Sequence, residues 1–112
     1  MPLLKNEKLS LAFYNRGNTY RNKGDDDRAI TDYNEAIRLK PDYAYAFGNR
    51  GLAYGRKGDN VRAMADYNEA IRLDPTGAIN FCKRGRLKLK INEASGNADI
   101  AKARELDASI CK

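Results

Sequence analysis

The sequence contains no histidine, no tryptophan and only two cysteines among its 112 residues. Because histidine is the commonest general base of enzymes, its absence removes the usual acid–base machinery. Two cysteines alone cannot form a zinc site. The acidic run Asp25–Asp27 lacks the ligand pattern of a calcium loop, and we interpret it as helix capping. We therefore expect no enzyme, no metal site and no cofactor.

Long apolar runs are also absent, since no stretch approaches the roughly 18 residues of a membrane helix. The first residues, Met1–Lys5, lack the apolar core of a signal peptide. We therefore expect no membrane association and favour a cytoplasmic location, with a mature or trimmed piece of a longer protein as the alternative. With 42% apolar and 32% charged residues, residues 1–112 are expected to form one globular domain.

Positive charge is in excess and is unevenly distributed. The net charge is +6, and residues 78–112 contain eight Lys or Arg against four Asp or Glu. One explanation is ordinary solubilisation of an exposed end. The other is a surface that prefers acidic partners.

An internal repeat of 34 residues is the strongest signal in the sequence. Residues 10–43 and 44–77 align without gaps and are identical at 20 of 34 positions. A degenerate terminal unit follows at about residues 78–108. Such a period indicates stacked helix pairs, because one pair cannot bury its apolar face alone.

Each repeat is predicted to contain two helices. In the first repeat Phe13 and Gly17 share one helical face. Gly24 then permits a tight turn, and a second helix containing Ala29 ends before Pro41. Because Gly17 and Ala29 are small, we expect the two helix backbones to approach most closely there.

The spacing of aromatic, glycine, tyrosine, alanine and proline residues resembles the consensus of the tetratricopeptide repeat. The matching positions are Phe13/Phe47, Gly17/Gly51, Tyr20/Tyr54, Gly24/Gly58, Ala29/Ala63, Tyr33/Tyr67, Ala36/Ala70 and Pro41/Pro75. The resemblance implies an all-α fold, namely an α-solenoid of three helix-turn-helix repeats with a right-handed superhelical twist. In that family the first helices of the repeats line the concave face.

The third unit departs from the consensus. Lys88 stands where the first two units have tyrosine, and one residue is missing in the turn around Asn92–Gly96. Many relatives carry a solvating helix after the last repeat, whereas only Ser109–Lys112 remain here. We therefore expect some uncovered apolar surface, which would favour a homodimer or helix exchange.

The resemblance also implies a ligand site on the concave face. The corresponding residues here are Leu11, Tyr14, Asn15, Asn18, Arg21, Asn22, Tyr45, Asn49, Leu52, Arg56, Ile79, Cys82, Lys83, Arg86 and Lys90. We expect the asparagines to bond the backbone of an extended peptide and the cations to hold its carboxylates.

A two-carboxylate clamp, which some family members use for the acidic tails of heat-shock chaperones, is matched only in part. Asn18 and Asn49 match its asparagines, and Lys83 stands for its arginine. Tyr14 and Ile79 occupy the two sites where the clamp has lysine. We therefore expect a generic acidic segment rather than a chaperone tail.

The two cysteines admit two interpretations. Cys82 lies in the first helix of the third unit and Cys111 follows the second helix, so in an antiparallel pair a disulfide is geometrically feasible. The alternative is one half-buried thiol and one free thiol in the tail.

The repeated arginines Arg16, Arg50 and Arg84 suggest either nucleic-acid binding or ion pairs. We favour ion pairs with Asp32, Asp66 and Asp99, because the aromatic residues are used in repeat packing rather than interleaved with a basic groove.

Together these observations predict a non-catalytic protein-interaction module that binds an extended, acidic peptide or protein segment on its concave face. The alternative is structural self-assembly through uncapped repeat ends. Nucleic-acid binding is the least favoured hypothesis.

Overall fold

The computed structural model describes residues 4–111, and these residues form six α-helices joined by turns. The helices are α1 (Lys5–Asn22), α2 (Asp26–Leu39), α3 (Ala44–Arg56), α4 (Asn60–Leu73), α5 (Ala78–Lys90) and α6 (Gly96–Leu106). The described residues contain no β-strand, which confirms the predicted all-α fold. No helix among them is long and apolar enough to cross a membrane.

The helices stack in chain order as three pairs. α1 packs on α2, α3 on α4 and α5 on α6, and α2 and α4 each contact the helix that follows. α3 also contacts both α1 and α5, whereas among the described residues α2, α4 and α6 do not contact one another in this way. The first helices therefore lie closer together than the second helices. This arrangement confirms the predicted α-solenoid and places α1, α3 and α5 on its concave side.

The helices of each of the first two pairs touch at a glycine. A Cβ atom added to Gly17 would lie 2.8 Å from Tyr33 Cε1 and 3.3 Å from the Ala29 carbonyl oxygen. A Cβ atom added to Gly51 would lie 2.7 Å from Tyr67 Cε1. The structure therefore shows a close contact between α1 and α2 at Gly17 and Ala29, where it was predicted.

Helix caps recur with the repeat. The Asp25 side chain accepts a hydrogen bond from the Arg28 backbone N–H, and Asp59 accepts the equivalent bond from Arg62, both at 3.1 Å. Gly24 precedes the first of these caps with a φ of 83°, a conformation that glycine adopts without steric cost. The predicted capping role of Asp25 is confirmed.

We call α1, α3 and α5 the inner helices and α2, α4 and α6 the outer helices. Each inner helix carries an arginine that forms a bidentate ion pair with an aspartate of the outer helix of the same pair. The Nη2–Oδ1 distances are 2.7 Å in Arg16–Asp32, 2.7 Å in Arg50–Asp66 and 2.8 Å in Arg84–Asp99. Each guanidinium also lies over the ring of a phenylalanine in its own helix. The ion-pair interpretation is confirmed, so these arginines join the helices of each pair rather than form a basic binding stripe.

The third pair is shortened at its turn. α6 has 11 residues, whereas α2 and α4 have 14 each. Asn92 has a φ of 67° at the position where Gly24 and Gly58 adopt the same left-handed conformation. Asparagine tolerates this conformation better than most residues. Because the 34-residue period continues to Asn92, the missing residue lies between Asn92 and Gly96.

The residues after α6 fold back onto α5. Cys111 is joined to Cys82 in a disulfide with a Cα–Cα distance of 5.6 Å, and Arg104 Nε donates to the Cys111 carbonyl oxygen at 2.9 Å. Cys82 is 1% exposed and packs in a cluster that includes Ile110. Of the two interpretations of the cysteines, the structure therefore favours the bridge. The prediction that Cys82 lines the concave face is wrong, because the tail covers its side chain.

The exposed side chains of α6 are either small or polar. Its exposed residues include Asn97, Ala98, Ala101 and Glu105, and none of its large hydrophobic side chains is exposed. The uncovered apolar surface expected at this end is therefore not seen on α6. Self-assembly through the repeat ends stays a prediction.

Candidate functional site

A chain of hydrogen bonds crosses the concave side from α1 to α5. Asn49 Nδ2 on α3 donates to Tyr14 Oη and to Asn18 Oδ1 on α1, both at 3.0 Å. Lys83 Nζ on α5 donates to Asn49 Oδ1 at 3.1 Å. We call these four residues, Tyr14, Asn18, Asn49 and Lys83, the central network. It brings together predicted site residues from all three inner helices.

A buried tyrosine of α2, Tyr33, forms a hydrogen bond to the central network. The Tyr33 hydroxyl donates to Asn18 Oδ1 at 2.5 Å. Burial, with smaller effects from nearby charges, raises the pKa of Tyr33 to about 12, so its hydroxyl stays a donor. The Asn18 oxygen therefore has two donors, and its amide nitrogen faces no acceptor among residues 4–111. The Asn18 side chain thus has a donor to spare, and its contact with a ligand carbonyl stays a prediction.

Lys83 is the electrostatic centre of the network. Burial, with a smaller contribution from the charge of Arg21, lowers the pKa of the Lys83 ammonium to about 8. Its hydrogen-bond partner is a neutral amide oxygen, and no carboxylate among the described residues forms an ion pair with it. A desolvated cation without a counter-ion favours an incoming anion, because the anion restores the charged form.

Lys83 lies between the N-terminal halves of α3 and α5. A Cβ atom added to Gly48 would clash with Asn80 Oδ1 and lie 3.7 Å from Lys83 Nζ. The absence of a side chain at Gly48 therefore lets α5 approach α3 and seats the ammonium between the two helices.

More cations lie towards the C-terminal ends of α3 and α5. An open hollow of about 270 Å³ is lined by Leu52, Gly55, Arg56, Tyr67, Lys83, Arg86, Leu87 and Lys90. Arg86 and Lys90 are exposed there. Arg56 differs, because its Nε lies 3.6 Å from Asp26 Oδ2 and its Nη1 contacts the Arg21 carbonyl oxygen at 3.4 Å. The positive charge available to a ligand is thus that of Lys83, Arg86 and Lys90, with Arg21 nearby.

Two of the predicted residues lie apart from this cationic region. Asn15 is exposed, and its carbonyl oxygen accepts from Thr19, but its side chain is not part of the central network. Tyr45 is 63% exposed and lies near the N-terminal ends of the inner helices beside Leu11. The predicted site therefore divides into a cationic groove and a separate edge.

Sequence reasoning missed Tyr33 and Tyr67, which support the groove from the outer helices. Tyr33 fixes Asn18, and Tyr67 forms part of the floor beside Lys83. Both were interpreted as packing residues. The available signal was the phenol hydroxyl, because a buried tyrosine usually bonds a polar partner.

Two protein-family models match the chain. The one described as TPR repeat matches residues 17–58, and the one described as Tetratricopeptide repeat matches residues 44–76. Together they span residues 17–76, more than half of the sequence, from the C-terminal part of α1 to the end of α4. The chain belongs to the tetratricopeptide-repeat family. A comparison with curated protein sequences finds no match.

Solved TPR domains share the fold. The TPR2B domain of yeast Sti1, in a complex with pHsp70, is 27% identical with a TM-score of 0.87, over 92% of this chain and 83% of that one. The second TPR of Spaghetti (RPAP3), bound to the HSP90 peptide SRMEEVD, is 25% identical with a TM-score of 0.86, over 92% and 96%. The Arabidopsis OM64 TPR domain, 23% identical over 93% and 87% with a TM-score of 0.89, shows the fold alone. The Sti1 and Spaghetti complexes support a protein-interaction module.

Proposed function

We propose that this TPR protein is a non-catalytic interaction module whose concave groove binds an extended acidic segment. The observation that carries the proposal is Lys83, a largely desolvated ammonium whose partner is the neutral Asn49 amide. A carboxylate at this position forms a charge-assisted hydrogen bond, which is stronger than the bond to the amide.

The surroundings of Lys83 suit an extended segment rather than a single ion. Arg86 and Lys90 continue the positive surface along α5 towards its C-terminal end. At the other side of the network, the Asn18 amide nitrogen is available for a backbone carbonyl. The segment would therefore place one carboxylate at Lys83, a second near Arg86, and its backbone against Asn18.

The solved complexes support the ligand class without fixing the partner. The peptide bound to the second TPR of Spaghetti contains two glutamates and an aspartate in its printed sequence, SRMEEVD. In the present chain, however, Tyr14 stands where the clamp has a lysine. Its side chain is neutral, and its hydroxyl accepts a hydrogen bond from Asn49. Ile79 is likewise neutral. We therefore propose acidic segments as the class and assign no chaperone as the partner.

Reversing the charge at Lys83 and Arg86 tests the proposal. We expect Lys83→Glu combined with Arg86→Glu to weaken binding of a fluorescein-labelled SRMEEVD peptide roughly 100-fold, because loss of a desolvated charge pair at an interface typically costs 2–5 kcal/mol. Fluorescence anisotropy measures the affinity, and circular dichroism checks the helical content.

Lys102→Glu is the control for charge reversal, since it replaces a lysine by glutamate on α6, outside the groove, and changes the net charge by half as much as the double variant does. A peptide in which glutamine and asparagine replace the three acidic residues should bind weakly to every form. The proposal is wrong if the folded double variant binds SRMEEVD as tightly as the Lys102→Glu control does.

A further inference from the structure

A row of exposed apolar side chains runs along one edge of the concave side. Leu11, Tyr45 and Ile79 occupy equivalent positions of the three units, 34 residues apart, on α1, α3 and α5. Their exposed fractions are 42%, 63% and 39%. We call this row the apolar edge. Apolar side chains that recur at one exposed position in successive units form a continuous surface rather than scattered contacts.

Tyr45 stands between two hollows at this edge. One hollow of about 510 Å³ is lined by Leu11, Tyr43 and Ala44 among others. The other, of about 310 Å³, includes Ile79 and Ile110 in its lining. Tyr45 lines both hollows. Apolar side chains of a partner that enter the two hollows would therefore contact the Tyr45 ring from both sides. Exposed aromatic residues beside pockets are typical anchors of protein interfaces.

The charge around the apolar edge is negative although the whole chain is positive. The two hollows are lined by four carboxylates and a single ammonium, namely Glu7, Asp42, Asp74, Asp107 and Lys40. Lys40 Nζ is paired with Asp42 Oδ1 at 3.0 Å, so these two charges cancel, and Glu7, Asp74 and Asp107 give the hollows their net negative charge. Hydrogen bonds from Ser109 lower the pKa of Asp107, which keeps that carboxylate charged at neutral pH.

The edge lies near the N-terminal ends of α3 and α5, and the exposed cations of the groove, Arg86 and Lys90, lie towards the C-terminal end of α5. Ile79 is the second residue of α5, and Lys90 is the last residue of that helix. At 1.5 Å per residue, Arg86 and Lys90 lie roughly 10 and 16 Å from Ile79 along the helix axis, which exceeds the screening length of about 8 Å at physiological salt. Lys83 lies only about one turn from Ile79, and its ammonium donates to Asn49 in the central network. A cationic ligand is therefore attracted by the edge and repelled by the groove.

We propose that the apolar edge is a second interaction surface, which binds a protein segment carrying apolar side chains flanked by lysine or arginine. Its apolar side chains occupy the two hollows beside Tyr45, and its cations pair with Asp74 and Asp107. This partner is opposite in charge to the acidic segment of the groove. The proposal goes beyond the proposed function and does not depend on it.

The probe is a fluorescein-labelled ten-residue peptide of alternating leucine and arginine, compared with a twin that carries glutamate for arginine. We expect the arginine peptide to bind and the glutamate twin to bind at least tenfold more weakly. Tyr45→Ala should weaken binding of the arginine peptide roughly tenfold or more, as loss of an aromatic anchor does. Asp74→Asn with Asp107→Asn should weaken it several-fold and flatten its dependence on salt.

Val61→Ala is the matched control, because Val61 is 83% exposed on α4, outside both hollows. It should leave the affinity for the arginine peptide unchanged, and so should Arg86→Glu with Lys90→Glu, because these positions lie roughly 10 Å or more from Ile79 along α5. The second variant separates this surface from the groove. Equal binding of the two peptides, or equal effects of Tyr45→Ala and Val61→Ala, would overturn the proposal. So would a concentration-dependent dimer that Tyr45→Ala abolishes in light scattering, since the edge would then serve a second copy of the chain.

Discussion

Reduction of the Cys82–Cys111 disulfide is expected to lower the free energy of unfolding by about 3.6 kcal/mol at 25 °C. The bond spans 29 residues, and the loss of loop-closure entropy in the unfolded chain sets this magnitude. For a chain of this size, such a change lowers Tm by roughly 15 °C. Thermal unfolding with and without a dithiol reductant measures the effect.

The loss should be localised in the third helix pair. In a stacked repeat each pair contacts only its neighbours, and the bond ties the tail to α5 next to Ile110. Hydrogen exchange should therefore speed up in α6 and residues 107–111 before it does in α1 and α2. Cys82→Ser with Cys111→Ser is the control, because reductant should no longer change its Tm. Two free thiols in air-purified protein by mass measurement, or a Tm that ignores reductant, would contradict this account.

Asp66→Ala is expected to cost about 3–5 kcal/mol, because it leaves a buried charge without its partner. Arg50 Nε and Nη2 donate to the two carboxylate oxygens of Asp66 at 2.9 and 2.7 Å. The side chains of Arg50 and Asp66 are only 19% and 6% exposed. Without the carboxylate, the guanidinium keeps one neutral partner, Asn34 Oδ1 at 2.9 Å. Urea unfolding followed by circular dichroism measures the loss.

The chain provides its own comparison for this effect. Arg16 and Asp32 form the equivalent ion pair, but the Arg16 side chain is 59% exposed and can be hydrated once its partner is gone. Asp32→Ala should therefore destabilise less than Asp66→Ala. Replacing Arg50 by Met together with Asp66 by Leu should recover much of the stability, as apolar replacement of buried ion pairs often does. Equal costs for the two alanine variants would show that burial of the arginine is not the cause.

The features that recur in both full repeats could be predicted from the sequence. Gly17 at the helix crossing, Asp25 at the cap and the Arg50–Asp66 pair each have a counterpart 34 residues away. Their contacts lie within one helix pair, so the local pattern determines them. A repeat period and helical geometry are sufficient for such contacts.

The central network could not be predicted as a network. Asn49 reaches Tyr14 and Lys83 across the boundaries between units, and these distances depend on how the pairs stack. The single-unit pattern assigned the asparagines to a ligand backbone, whereas Asn49 uses its amide to bond neighbouring side chains. The lowered pKa of Lys83 has the same origin, because burial between α3 and α5 causes it.

The division of the predicted site into two surfaces was also hidden in the sequence. Tyr45 was grouped with the cationic positions because all of them lie on inner helices. The carboxylates near it, Asp42, Asp74 and Asp107, come from turns and the tail, which periodic reasoning does not place. Cys82 was misplaced for a similar reason, since the path of the tail decides which face of α5 is covered.

The central claim is that the Lys83 ammonium binds a carboxylate of the ligand. Titration of the Lys83 side chain tests this claim most directly. In the free protein the Lys83 pKa is about 8, well below the usual value of about 10.4. A bound carboxylate stabilises the ammonium and raises this pKa, so binding takes up a proton between the two pKa values. Affinity is therefore full below pH 8 and falls as the pH rises through the pKa of the free protein.

The measurement is an NMR titration of the Lys83 side chain, followed through its Cε signal, with and without the SRMEEVD peptide. Lys83→Gln identifies the signal. We predict a midpoint near 8 in the free protein that rises by about one pH unit or more when the peptide is bound. A midpoint at the ordinary lysine value, or one that the saturating peptide leaves unchanged, would contradict the account.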